Sequence, residues 1–240
     1  MLVSPACRKG EGVEGQGSRR AKGARAVLFD MDGVLAFTEQ FYNHRRVAYL
    51  AEHGITFDEE PDCTGSFEQA IWERLVPGDE QLRERLRVGY HAYSDEHPTP
   101  WAEVANPDVA PTFRALKERG VLVGIASSSY RSLIEGFVAA AGVGKWLDLT
   151  LSGEECAAYK PDPDIYLTAM RRLGVSPAET VIVEDSPTGI LAGVRSGALV
   201  VALRPPAGVC LDQSRADVVV DRLPDVVELL GTTCGSQSQG

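Results

Sequence analysis

Between residues 25 and 230, short β-branched apolar runs alternate with longer stretches of helical spacing. The short runs, at 26–29, 121–126, 149–151, 181–184, 199–203 and 218–220, predict six strands. Strand and helix in alternation predict an α/β fold, a Rossmann-like, doubly wound parallel sheet wrapped by helices. Proline and glycine punctuate the helical stretches: 111–119 stops at Gly120, 187–196 at Gly197 and 224–230 at Gly231. The stretch 163–173 starts with Pro163 at the first helical position after Asp162 as N-cap, and closes at Gly174.

About 90 residues separate the first two strands, far more than one crossover helix needs. Within them, 38–54, 66–76 and 80–94 carry apolar residues at helical spacing: Phe41, Val47 and Tyr49 or Leu50; then Phe67, Ile71 and Leu75; then Leu82, Leu86, Tyr90 and Tyr93. The spacing predicts a small all-helical domain at 38–107, inserted through two adjacent hinges into a core domain of 25–37 and 108–230. Residues 1–24, polar, Gly-rich and net basic, are expected to be a disordered tail, and 231–240 a flexible end.

Composition narrows the partners. With 44% hydrophobic and 24% charged residues the chain is ordinary globular material, but its net charge of −10 lacks the basic face that a nucleic-acid binder needs. There is no apolar run long enough to span a membrane and no secretory signal at the start, so the expectation is a soluble cytoplasmic protein that contacts no membrane and works as a monomer. Five widely spaced cysteines without a C-x-x-C pair suit reduced thiols and speak against a zinc site.

The candidate chemistry lies where strands end. Phe29-Asp30-Met31-Asp32-Gly33 follows the first strand, and in extended chain Asp30 and Asp32 share a face. Two adjacent carboxylates repel unless a cation or a proton intervenes, although an acidic turn after a strand looks the same. Ser127-Ser128-Ser129 follows the second strand, either as a phosphate cradle or as a plain helix cap. Lys160, one of only five lysines, sits in the stiff segment Tyr159-Lys160-Pro161-Asp162-Pro163, where it can meet a phosphoryl oxygen or simply be solvated. Glu184-Asp185 ends the fourth strand with no basic neighbour in sequence, a donor pair that suits Mg²⁺. All four segments end parallel strands, hence share one sheet edge, and they set four carboxylates against one ammonium. That imbalance asks for a divalent cation, the more so when an anionic phosphate arrives.

In this order the four segments resemble the motifs of the haloacid dehalogenase superfamily, specifically its β-phosphoglucomutase-like phosphatase branch with a helical cap, over about residues 26–230. The resemblance implies that Asp30 attacks phosphorus to give an aspartyl phosphate and that Asp32 protonates the leaving oxygen before activating water. It implies that Lys160 and the Ser127–Ser128 segment bind the phosphoryl group. It further implies Mg²⁺ held by the Asp30 carboxylate, the Asp32 backbone carbonyl and Asp185, with Glu184 as ligand or support. The expected substrate is a small phosphorylated metabolite, a sugar phosphate above all.

Departures from the superfamily's other branches shape the choice. Asp32 favours phosphoryl transfer over dehalogenation, and a cap without lysine lacks the Schiff-base group of the phosphonate-cleaving branch. A sugar-phosphate mutase is the competing reading. Its hinge histidine falls on Tyr42, however, and its cap arginine is absent around Gly65-Ser66-Phe67-Glu68. A non-catalytic binding protein on the same fold would be expected to lack Asp30, Asp32 or Lys160, and all three are present. On the first cap helix Thr38, Tyr42 and Arg45 share a face and are candidate substrate contacts. The four histidines, all in the cap, have no metal-site spacing.

Overall fold

The computed structural model describes residues 21, 23–61, 63 and 68–231. Nearly all of both expected tails, together with Ser66 and Phe67 of the second expected cap helix, lies outside these residues. In chain order the elements are β1 (Ala26–Phe29), α1 (Glu39–Glu52), α2 (Glu68–Leu75), α3 (Glu80–Glu96), α4 (Trp101–Val104), α5 (Val109–Glu118), β2 (Leu122–Ser127), α6 (Arg131–Ala141), β3 (Leu149–Ser152), α7 (Asp164–Leu173), β4 (Thr180–Glu184), α8 (Pro187–Ser196), β5 (Leu199–Leu203), β6 (Val218–Val220) and α9 (Leu223–Leu229). All six strands are parallel, in the order β3-β2-β1-β4-β5-β6, the Rossmann-like arrangement expected.

The alternation of side chains along a strand places helices on both faces of this sheet. On β1, Ala26 and Leu28 join Ile165, Tyr166 and Ala169 of α7 and Ala192 of α8 in one apolar cluster. Phe29 points the other way, its ring 5.1 Å from that of Phe113 on α5. β1 is therefore buried throughout, which explains an unbroken apolar run without alternation.

Strand bounds depart from expectation by at most one residue; helix starts depart more. The helix expected at 111 begins at Val109, because Pro111 falls inside its first turn, where a missing N–H breaks no hydrogen bond. Pro163 occupies the N-cap of α7 (φ −76°, ψ 0°) and not its first turn. Asp162, expected as the cap, makes a turn one residue earlier and accepts the Asp164 N–H at 3.0 Å. The last helix begins at Leu223, one residue before Pro224. Helix α6 buries only Ile134 and Phe137, a stripe too thin to mark a helix in the sequence.

Residues Phe37–Val104 form a compact unit of their own, and the chain on either side forms the other. The helical unit is built around Tyr49, Leu50, Ile71, Trp72, Leu75, Leu86 and Tyr90. In the α/β unit the two ends bordering the insertion lie side by side: Ala36 bridges Ala105 in antiparallel sense, and Asn106 donates to the carbonyls of Leu35 at 2.9 Å and Val34 at 3.0 Å. No helix among the described residues is long and apolar enough to cross a membrane.

Candidate active site

The sheet order fixes where a site can form. From β1 the chain winds outward through β2 to β3, then returns to the other side of β1 as β4, so the crevice at the carboxyl ends of β1 and β4 is the switch point. Asp30 leaves β1 there, its N–H still donating to Val183 at 2.9 Å, and Glu184 with Asp185 ends β4. Beyond Asp30 the carbonyl of Met31 accepts N–H bonds from Val34, Leu35 and Ala36, which curls the chain out of the sheet. Gly33 carries the reversal at φ +81°, in the left-handed region. A Cβ on it would collide with the Asp185 carboxylate, so that carboxylate packs directly against the Asp30 turn.

Lys160 reaches into the crevice from the loop before α7. Its ammonium donates to Asp30 Oδ1 at 2.5 Å, Glu184 Oε1 at 2.7 Å and the Ala126 carbonyl at 3.3 Å, and lies 4.8 Å above the Tyr166 ring. Glu184 has no solvent exposure. It accepts from Lys160 and from the Tyr166 hydroxyl at 2.6 Å on Oε1, and from the Asp185 N–H at 3.1 Å and Ser186 Oγ at 3.3 Å on Oε2. Four donors use the acceptor capacity of one carboxylate, so Glu184 is an anchor for Lys160. Gly189 is the residue that admits it: any Cβ there would overlap the Glu184 carboxyl group.

Burial pushes Asp30 up to about 8, with Glu184 and Asp32 adding to the rise and Lys160 opposing it. Against the cost of its own burial, Lys160 is held well above the usual lysine value by Asp30 and Glu184. Burial, then Glu184, likewise raises the Tyr166 phenol well above its usual value. Carboxylate oxygens of Asp30, Glu184 and Asp185 lie within 4.8 Å of one another, all buried. A buried set of hard oxygen donors carrying more negative charge than Lys160 balances fits a divalent cation. Asp30, Glu184 and Asp185 are the carboxylates placed to hold one, Glu184 while also accepting from four donors.

The other expected residues divide between the two units. Ser127 is buried and its Oγ accepts the Ser129 N–H at 3.0 Å, while Ser128 is exposed. The half-buried Asp32 carboxylate stands outside the acidic cluster and accepts from Ser129 Oγ at 2.5 Å. Thr38, Tyr42 and Arg45 belong to the helical unit. There Thr38 is buried, and Arg45 donates to the Tyr90 hydroxyl and the His97 carbonyl, both at 2.8 Å, with its guanidinium 5.1 Å from the Tyr42 ring. Two of Arg45's donor nitrogens thus hold the helical unit together.

Tyr166, Gly189 and Gln213 escape the sequence reading, which takes Ser129 only as part of the serine run after the second strand and not as a partner of Asp32. Gln213 donates to the carbonyls of Asp185 at 2.9 Å and Leu203 at 2.7 Å, fixing the Asp185 backbone from a loop that carries no motif. Tyr166 looked like one more apolar position of α7, and nothing in its spacing marks the hydroxyl.

A family model described as haloacid dehalogenase-like hydrolase matches residues 24–197, well over half of the chain. The chain belongs to the haloacid dehalogenase-like hydrolases. Among curated members of the family, hexitol phosphatase B of Escherichia coli is 30% identical over 175 residues, covering 70% of this chain and 78% of that protein. The phosphorylated carbohydrates phosphatase of Thermotoga maritima is 30% identical over 176 residues, covering 72% and 81%. The solved structure of a haloacid dehalogenase family hydrolase from Deinococcus radiodurans, with bound phosphate and sodium, superposes with a TM-score of 0.66 at 27% identity, covering 88% of this chain and 99% of that one. Both of these curated relatives are named phosphatases, and the family generally uses a metal ion, in keeping with the buried acidic cluster of this hydrolase.

Proposed function

We propose that this hydrolase is a Mg²⁺-dependent phosphatase of small phosphorylated metabolites, sugar phosphates foremost, working through an aspartyl phosphate on Asp30. The observation that carries the reading is the Asp30–Lys160–Glu184 chain at the switch point, which fixes a carboxylate just beyond a strand tip. Asp30 attacks phosphorus as the P–O bond to the leaving alcohol breaks, and Asp32 passes a proton to that oxygen. Asp32 then takes a proton from the water that displaces phosphate from Asp30. Lys160 balances charge on Asp30 before attack and on the phosphoryl oxygens after it. Asp30 and Asp185, with the Asp32 carbonyl, would hold Mg²⁺, which when bound neutralises the converging negative charge.

The names of the carbohydrate-directed relatives support the sugar-phosphate class. Tyr42, at the position of the mutase hinge histidine, supports hydrolysis over isomerisation. A net charge of −10 supports a small-molecule substrate over nucleic acid, and a monomer in the cytoplasm is the setting proposed. The decisive experiment measures phosphate release from hexitol and hexose phosphates by wild type and Asp30→Asn. The variant should lose several orders of magnitude, because no other side chain can form the acyl phosphate. Near-normal turnover by a clean preparation would refute the mechanism.

A further inference from the structure

Ser129 has no part in the function proposed above, yet its backbone is held from two sides. Its N–H donates to Ser127 Oγ at 3.0 Å, and its carbonyl accepts from Ser152 Oγ at 2.7 Å. Ser127 ends β2 and Ser152 ends β3, both buried, so Ser129 is pinned to the tips of two neighbouring strands. With the backbone fixed, its hydroxyl donates to Asp32 Oδ2 at 2.5 Å. A contact that short belongs to the charge-assisted class, about twice the strength of a neutral hydrogen bond. Serine bonds thus run from the tip of β3 through the segment after β2 to Asp32, three residues beyond the end of β1, following the spatial order of the strands.

We infer that Ser129 is a positioning residue that fixes the plane of the Asp32 carboxylate, and with it the direction in which Asp32 exchanges protons with the leaving group and with water. The inference rests on the acid–base role proposed for Asp32. Asp32 lies in the turn that curls away from β1, its backbone bridging Ala36, and the Ser129 hydroxyl adds a donor to its carboxylate from a loop pinned to two strand tips. A serine that merely filled space would not need its hydroxyl. One that bound phosphate directly would govern affinity for phosphate rather than proton transfer.

These roles separate by leaving group. For Ser129→Ala, kcat/KM should fall at least about tenfold further for an alkyl phosphate such as sorbitol 6-phosphate than for 4-nitrophenyl phosphate, whose leaving group needs little protonation. Ser129→Thr, which keeps the hydroxyl, should restore the wild-type ratio between the two substrates. Competitive inhibition by inorganic phosphate should be unchanged in both variants. Equal losses on both substrates, or phosphate inhibition weakened in proportion to the lost activity, would overturn the inference. Asp32→Ala measured beside them tells this failure from that of the underlying reading. Discrimination changed in Asp32→Ala but not in Ser129→Ala refutes the positioning role alone. Discrimination unchanged in both refutes the role of Asp32, and the positioning role with it.

Discussion

Glu184 accepts four hydrogen bonds without touching solvent, and its carboxyl group lies where a side chain on residue 189 would have to go. Gly189→Ala should therefore displace Glu184, loosen Lys160 and overpack the start of α8, costing about 1–3 kcal/mol of stability. Chemical denaturation and phosphate release should both register it; wild-type values in both would show the site more pliable than its packing implies. Asp30 supports a second prediction, for protein stripped of divalent cations. Its folded value is raised to about 8 from an ordinary value of 3.8, so the folded state keeps a proton that the unfolded chain releases. Its stability contribution is complete below about pH 4 and is lost as the pH rises through about 8. Denaturation midpoints followed across that window should fall for wild type and flatten in Asp30→Asn, and identical slopes would mean that Asp30 does not carry the effect. Asp30, Lys160 and Glu184 were legible because strand tips and a scarce lysine single them out. Tyr166 was not, since a tyrosine at a buried helical position looks apolar until the fold aims its hydroxyl at Glu184.

Elements were legible to the degree that burial dictates their composition. β1, β5 and β6 have the expected bounds because apolar strands flanked by polar turns leave little latitude. Helix starts were less so: proline tolerates the N-cap as well as first-turn positions, and α5, α7 and α9 place it at three different ones, the third residue, the N-cap and the second residue. The segment between β5 and β6 offered no signal, yet it supplies Gln213, which ties the Asp185 carbonyl to that of Leu203 at the end of β5. Gln213→Ala leaves both carbonyls without this donor. It should cost about 1–3 kcal/mol and weaken Mg²⁺ binding through Asp185, while leaving the Lys160 contacts intact. Isothermal titration with Mg²⁺ beside a denaturant series checks both effects. Unchanged affinity with lowered stability would assign Gln213 to the fold alone.

At the scale of the whole molecule, the 90-residue gap in the strand pattern is the plainest feature of the sequence, and the described residues cluster into two compact units with separate cores. What the sequence could not show is how the cap residues are used. Arg45 was a candidate for the substrate because it shares a face with Thr38 and Tyr42, whereas Tyr90 and His97, distant in sequence, take its hydrogen bonds. The division has a consequence for linkage. All carboxylates of the acidic cluster belong to the α/β unit, so a cation that binds them stabilises that unit against unfolding and has no direct hold on α1, α2 or α3. At a free Mg²⁺ concentration about 100 times its Kd the gain is about 2.7 kcal/mol, or roughly a hundredfold slowing of exchange for amides that open only with that unit. Hydrogen exchange with and without Mg²⁺ should show protection concentrated in β1, β4 and the turn after Asp30, with the amides around Trp72 and Leu86 in the helical unit exchanging as before. Equal slowing in both units would show that they unfold as one cooperative body. No slowing anywhere, at a concentration that saturates activity, would remove the cation from the buried cluster and leave Lys160 as the sole balance of its charge.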